Sequence, residues 1–257
     1  MSKNIHIFTV RHGEPDKTKG VLDPSLSDSG RKRLIDEAAQ GVPELITEHV
    51  LGHKEPVAEA ARIARNHINS ALGLGDGSYT SGQDMAKILG EDDAQRLQRE
   101  ASSIMDKEMA RLSPQWHAAI QNLGGLGIKI AVIASGKQRT RETADILSGI
   151  LDEHGVLLPA GSGAPYAVSH ELTSSAGDSY NTSAESLSAM VGAIVRSAHP
   201  QLLPVIEEAN GLFIVGHEPL IQATNELVTG HKFPEVDYGA IHPYETPRAE
   251  VLHHLGS

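Results

Sequence analysis

Two histidines and two arginines of this chain sit where apolar runs break off at small or polar residues. Thr9-Val10-Arg11-His12-Gly13-Glu14-Pro15 follows one run, Ser135-Gly-Lys-Gln-Arg139-Thr-Arg-Glu-Thr143-Ala144 a second, and Val215-Gly216-His217-Glu218-Pro219 a third. Ligands of open α/β sheets bind outside the carboxyl ends of the strands, so chemistry is expected at these positions. Arg139 falls in the first turn of a helix, where free backbone N–H groups already favour an anion. A single Arg-His-Gly triplet carries little weight, since a histidine at a strand end is most often a polar group with a hydrogen-bond partner. Three such segments carry more. They suit phosphoryl transfer, which needs a nucleophile in line with the leaving oxygen and fixed positive donors around the equatorial oxygens. Imidazole is a competent nucleophile only when its attacking nitrogen is unprotonated, and guanidinium is a planar, permanently charged fork for phosphate oxygens.

The elements that must position these groups are legible as punctuation. Ile5–Val10, Ile128–Ala134 and Leu212–Val215 are short aliphatic runs, the mark of strands buried on both faces of an α/β protein. Helices are expected at about Gly30–Gln40, Gln138–Leu151 and Pro219–Val228, each after one of the runs. A weaker strand is expected near Pro165–Val168 and a last edge strand at Ala249–Leu252. Thr182-Ser-Ala-Glu185 has the pattern of a capping box, predicting a helix that runs to about Ala198. Between the first helix and the second run the texture changes to Ala, Glu, Arg and Met. Val57, Ala61, Ala64, Ile68, Ala71 and Leu72 share one helical face, and Leu97, Ala101, Ile104, Met105 and Leu112 another, with Gly73-Leu-Gly-Leu-Gly-Asp-Gly77 between them. The chain is thus expected to be one α/β domain over 1–257 carrying a mainly helical insertion at about 45–115, either surface helices or a cap over the site.

Composition removes several classes. The chain has 257 residues, a net charge of −11, 4% aromatic residues and no cysteine. This length buries a sizeable core without staples, and the lack of cysteine excludes thiolate zinc sites, iron–sulfur clusters and cysteine nucleophiles. The acidic balance argues against a nucleic-acid or anionic-membrane surface. No run approaches the ~18 apolar residues of a membrane helix, and Met1-Ser2-Lys3-Asn4 leads straight into Ile5–Val10, too short for a signal sequence. A cytoplasmic protein is expected. The remaining histidines lack ligand spacing such as H-E-x-x-H, so no metal is expected.

On Arg11-His12-Gly13-Glu14, Leu26-Ser27-Asp-Ser-Gly30, the Ser135/Arg139/Thr143-Ala144 block and Gly216-His217, the chain resembles the histidine phosphatase superfamily, also called phosphoglycerate-mutase-like, with its core most similar to bacterial phosphohistidine phosphatases. The resemblance spans about two-thirds of the chain and leaves the helical insertion unmatched. It implies a three-layer α/β/α fold with a mostly parallel central sheet, and a metal-independent phosphatase without cofactor. His12 would become a phosphohistidine that water cleaves, Arg11 and Arg139 would clamp the phosphate oxygens, and His217 would donate to the phosphoryl group. Lys137 and Arg141 read as solvated.

The resemblance leaves the proton donor open. The mutase-like branch points to Glu171, the acid-phosphatase and phytase branch to Glu218 directly after His217, and Asp178 is a third candidate, with Glu171 slightly preferred. A cofactor-dependent mutase carries an Arg-His-Tyr-Gly-like stretch after its Glu, where this chain has Leu-Thr-Ser-Ser-Ala, so a phosphatase is favoured. A phosphoglycerate-mutase-like phosphotransferase and a non-catalytic phosphate-binding regulator are the alternatives. The expected substrate is a phosphorylated small molecule, if the insertion covers the site, or a phosphoprotein, if it does not.

Overall fold

The computed structural model describes residues 3–17, 23–75, 81–160, 163–169, 172, 184–198, 202–231 and 235–256. Its strands are β1 (Asn4–Arg11), β2 (Ile130–Ser135), β3 (Ala167–Ser169), β4 (Gly211–Gly216) and β5 (Ile241–Pro247). Its helices are α1 (Asp28–Leu45), α2 (Pro56–Ala71), α3 (Gly82–Leu89), α4 (Glu91–Gln121), α5 (Gln138–Glu153), α6 (Leu187–Ala198), α7 (Leu202–Glu208), α8 (Glu218–Thr229) and α9 (Arg248–Gly256).

The strands form one sheet in the order β3-β2-β4-β1-β5. All pairings are parallel except that of β5 with β1. Every residue of β2 and β4 is buried, which is why their sequences read as unbroken apolar runs rather than as alternation. Helices cover both faces. On one side Ile5 and Ile7 of β1, Ala131 and Ile133 of β2 and Leu212 and Ile214 of β4 pack with Met190, Val191 and Ile194 of α6 and with Val251 and Leu255 of α9. Alternation sends Phe8 and Phe213 to the other side, where they stack with centroids 4.7 Å apart, and there α5 lies on β2 and β4 and packs against α1. The fold is a three-layer α/β/α sandwich with a mostly parallel sheet. Its register sets Arg11 opposite Gly216 and Ala134 opposite Val215, so the carboxyl ends of β1, β2 and β4 lie side by side.

The chain divides into two compact units, Met1–Val50 with Asn122–Ser257, and Leu51–Gln121. The second is helical. Glu55 caps α2 by accepting from the Val57 and Ala58 N–H groups, and Ser81 caps α3 through the Asp84 N–H. Met85, Ala94 and Leu97 form its small core, with Ile68, Leu72, Ala86 and Leu89 packed around them.

Three local expectations are corrected. Ala249–Leu252 is not a strand but lies in α9, and the edge strand is β5. Pro243 and Pro247 disguise β5 in the sequence. Neither proline can donate to β1, and an edge strand tolerates them where the N–H would face outward, a placement that also blunts pairing with another chain. The helix before Ala198 starts at Leu187 and is capped by Ser186, whose Oγ accepts from the Ala189 N–H; Thr182 lies outside the described residues. The buried face of α2 runs through Pro56, Ala60, Ala64 and Asn69, α2 packs against α4, and Val57 is 49% exposed. The short α3 has too few residues to show a helical period.

Candidate active site

The loop after β1 is fixed by its neighbours on every side. The His12 N–H donates to Gly216 O (3.1 Å), and the Gly239 N–H donates to Arg11 O (3.1 Å) and His12 O (3.3 Å). The Gly13 N–H donates to Thr143 Oγ1 (3.2 Å), which itself donates to Arg139 O (2.8 Å). Ser27 caps α1 through the Gly30 N–H at 3.0 Å, and a Cβ on Gly30 would stand 2.5 Å from Glu14 O. Only glycine lets the start of α1 lie against this loop. Glu142 on α5 accepts from the Leu26 N–H (2.9 Å) and from Arg31 (2.8 Å), joining the loop, α1 and α5. The Leu26–Gly30 segment and Thr143 are therefore scaffold positions beneath the chemical groups.

His12 is 5% exposed, and its Nδ1 lies 2.7 Å from Gly13 O. A carbonyl only accepts, so Nδ1 carries the proton and Nε2 the lone pair. Arg139 Nε donates to that Nε2 at 3.1 Å, bringing a guanidinium and the free imidazole nitrogen to one point. Burial lowers the His12 pKa to about 3; the bond to Gly13 O opposes this, while His217, Arg139 and Arg11 add to it. Near neutral pH the ring is uncharged.

The other groups gather around it. His217 directly follows β4, its ring centroid 5.0 Å from that of His12 at 73°, and its Nε2 lies 3.5 Å from Ser135 Oγ. Ser135 Oγ shares a 2.7 Å hydrogen bond with Thr140 Oγ1. Arg139 Nη1 lies 3.9 Å from Asp23 Oδ1, while Asp23 Oδ2 accepts from the Gln138 N–H at the start of α5 (3.0 Å). Arg139 is thus turned to His12 and Asp23, and not to Glu142 or Asp145 on its own helix. Arg11 donates through Nη1 to Val236 O, and Nη2 pairs with Glu218 Oε2 at 3.0 Å. The Glu218 Oε1 accepts from Gln222 (3.1 Å).

Arg11, His12, Arg139, His217 and Glu218 are therefore brought together at the carboxyl ends of three parallel strands. Glu171 and Asp178 lie outside the described residues. Three further neighbours are absent from the sequence expectations: Val236, Asp23 and Tyr238. Tyr238 has its ring 4.1 Å beneath the Arg11 guanidinium and 5.7 Å from the His12 ring. Its one sequence signal is an aromatic residue before Gly239, in a chain that is only 4% aromatic. Gly239 takes φ +80°, the left-handed conformation that favours glycine and that brings its N–H back to the Arg11 and His12 carbonyls. Among the described residues no group of three or more His, Asp or Glu is arranged to hold a metal, and no helix is long and apolar enough to cross a membrane. Chemically, the arrangement pairs a neutral imidazole with two guanidiniums, a second imidazole and the N-terminal turn of α5, a set that favours an anion at His12 Nε2.

No protein-family model matches the chain, and no curated protein does. Among solved structures it is similar to one described as "Putative Phosphohistidine Phosphatase SixA from Nakamurella multipartitia", with 13% identity and a TM-score of 0.38, the match covering 98% of this chain and 91% of that one.

Proposed function

We propose that this protein is a metal-independent phosphatase of the histidine phosphatase type, cleaving a phosphomonoester or phosphoramidate through a phosphohistidine on His12. The observation that carries this reading is the protonation pattern of His12. Its Nδ1–H is held by Gly13 O, its Nε2 lone pair lies 3.1 Å from Arg139 Nε, and its pKa is lowered to about 3. A nucleophilic imidazole requires this tautomer, and a neighbouring guanidinium places the phosphoryl group in front of it. In the first half-reaction Nε2 forms the N–P bond as the P–O or P–N bond to the leaving group breaks, and a carboxylic acid protonates the departing atom. In the second, water attacks phosphorus, the N–P bond breaks, and the electron pair returns to Nε2 with release of inorganic phosphate.

Glu171 is our choice of donor. Glu218 spends one oxygen on Arg11 and the other on Gln222, the arrangement of a carboxylate that positions a guanidinium rather than one that releases a proton. Glu171→Gln is expected to lose most activity toward poor leaving groups and much less toward activated aryl phosphates, whereas Glu218→Gln weakens both to a similar degree. The reverse pattern would move the role to Glu218. The substrate class follows the sequence expectation, a phosphorylated small molecule or a phosphoprotein. Hydrolysis of p-nitrophenyl phosphate without added metal, lost in His12→Ala, tests the reading. A requirement for a bisphosphate would favour a mutase, and phosphate binding without turnover a regulatory role.

A further inference from the structure

The guanidinium of Arg11 is held from three directions that the phosphatase reading does not require. Val236 O accepts from Nη1, Glu218 pairs with Nη2, and the Tyr238 ring lies under the plane with its centroid 4.1 Å from Cζ. Arg11 Nε is buried, and no described residue pairs with it. A guanidinium has five N–H donors, so the contacts of Nη1 with Val236 and of Nη2 with Glu218 leave others for a ligand. Contacts to the two Nη atoms alone let the fork tilt about the line joining them, and an aromatic face pressed on the plane removes that tilt.

We propose that Tyr238 is a positioning residue of the anion site: its ring fixes the plane of the Arg11 guanidinium and so aims Arg11 at the phosphoryl group held by His12. This inference rests on the phosphatase reading above. The segment that carries the ring is tied to the segment it serves. Gly239 N–H bonds both Arg11 O and His12 O, Ala240 O accepts from the Arg11 N–H at 3.1 Å, and the Ala240 N–H closes a turn on Asp237 O at 3.2 Å. The ring therefore keeps its place relative to the Arg11 and His12 backbone. The aromatic plane is what acts, so phenylalanine replaces tyrosine and a flexible aliphatic side chain does not.

Inorganic phosphate affinity by calorimetry, and kcat and KM on p-nitrophenyl phosphate, are measured for wild type, Tyr238→Phe, Tyr238→Leu and Tyr238→Met. Tyr238→Leu and Tyr238→Met are expected to bind phosphate about threefold to thirtyfold more weakly, the range for a guanidinium over an aromatic face, and to raise KM more than they lower kcat. Tyr238→Phe is expected to stay within about threefold of wild type on the same scale. In an Arg11→Gln background the Tyr238→Leu effect on phosphate affinity disappears, which separates positioning of Arg11 from general support of the loop. Equal phosphate affinity in wild type, Tyr238→Leu and Tyr238→Met overturns the proposal and leaves the phosphatase reading standing. So does a Tyr238→Phe variant as weak as Tyr238→Leu, because the hydroxyl and not the ring is then at work. A wild-type protein that neither binds phosphate nor hydrolyses the ester overturns both.

Discussion

The candidate site and the helical unit hold their polar groups in different ways. At the site, partners are far apart in sequence and buried or half-buried. His12 meets Arg139 across 127 positions, Gly13 meets Thr143 across 130, and Arg11 meets Val236 across 225. In Leu51–Gln121, the ion pairs Arg62–Glu59, Lys87–Asp84, Arg96–Asp93 and Arg111–Glu108 are three residues apart with exposed basic side chains, and His67–Glu100 joins α2 to α4 at 3.5 Å. Its buried polar side chain among the described residues is Asn69. Local pairs of this kind stabilise a helix by only ~0.2–0.5 kcal/mol each. Parallel strands collect side chains from distant segments at one edge and desolvate them. Helices joined in sequence leave their charges at the surface, where shifts come from local partners, as Arg62 lowers the Glu59 pKa and Ser81 with Lys87 that of Asp84. The candidate site therefore lies in the first unit, and mutations should separate the two.

The largest effect is expected at His12. His12→Ala should lower turnover at least ~10³-fold, the scale for removing a nucleophile, while circular dichroism still reports both units folded. The same residue makes a pH prediction. Its folded-state pKa is about 3 against 6.5 for the free side chain, so between these values the unfolded chain binds more protons. His12's contribution to stability is complete above pH 6.5 and is lost as pH falls toward 3, with a slope approaching ~1.4 kcal/mol per pH unit. His12→Ala should flatten that dependence in acid denaturation titrations. It should not erase it, because burial also lowers the pKa values of His6 and His242.

Arg139→Ala should weaken inorganic phosphate binding and lower kcat/KM by ~10²-fold, as expected for one charged donor to a developing anion, with thermal stability little changed. Leu97→Ala tests the other side of the contrast. It should destabilise the helical unit by ~2–3 kcal/mol, read from the fluorescence of the chain's single tryptophan, the buried Trp116 of α4, and leave hydrolysis of p-nitrophenyl phosphate within about twofold, below ~0.4 kcal/mol in barrier. A large loss of activity in Leu97→Ala would break the contrast. Arg62→Ala should be smallest, ~0.5 kcal/mol or less at this exposed pair and less still in high salt, by differential scanning calorimetry.

What was legible in the sequence divides along the same line. Strands β1, β2 and β4 are buried on both faces, so their apolar runs and the Arg11-His12, Ser135 and His217 segments that end them mark both the sheet and the site. Edge strand β5 is half-exposed and carries two prolines, so it gives neither an apolar run nor clean alternation, and the Ala249–Leu252 run in α9 read as its substitute. Tyr238, Val236 and Asp23 reach the site from loops. Their contacts with Arg11 and Arg139 depend on the register of β5 against β1 and on the start of α5, and no local pattern encodes either. The cap of α6 is Ser186, because residues 184–186 are not helical and the helix start at Leu187 decides which hydroxyl caps.

The most direct test is to trap the covalent intermediate. Wild-type protein is mixed with p-nitrophenyl phosphate in the absence of metal, quenched in alkali, where phosphohistidine survives, and mapped by mass spectrometry. The account predicts a phosphoryl group on His12, absent from His12→Ala, together with loss of hydrolysis in that variant. Hydrolysis that persists in His12→Ala, or a phosphoryl group mapped to another residue, would contradict it.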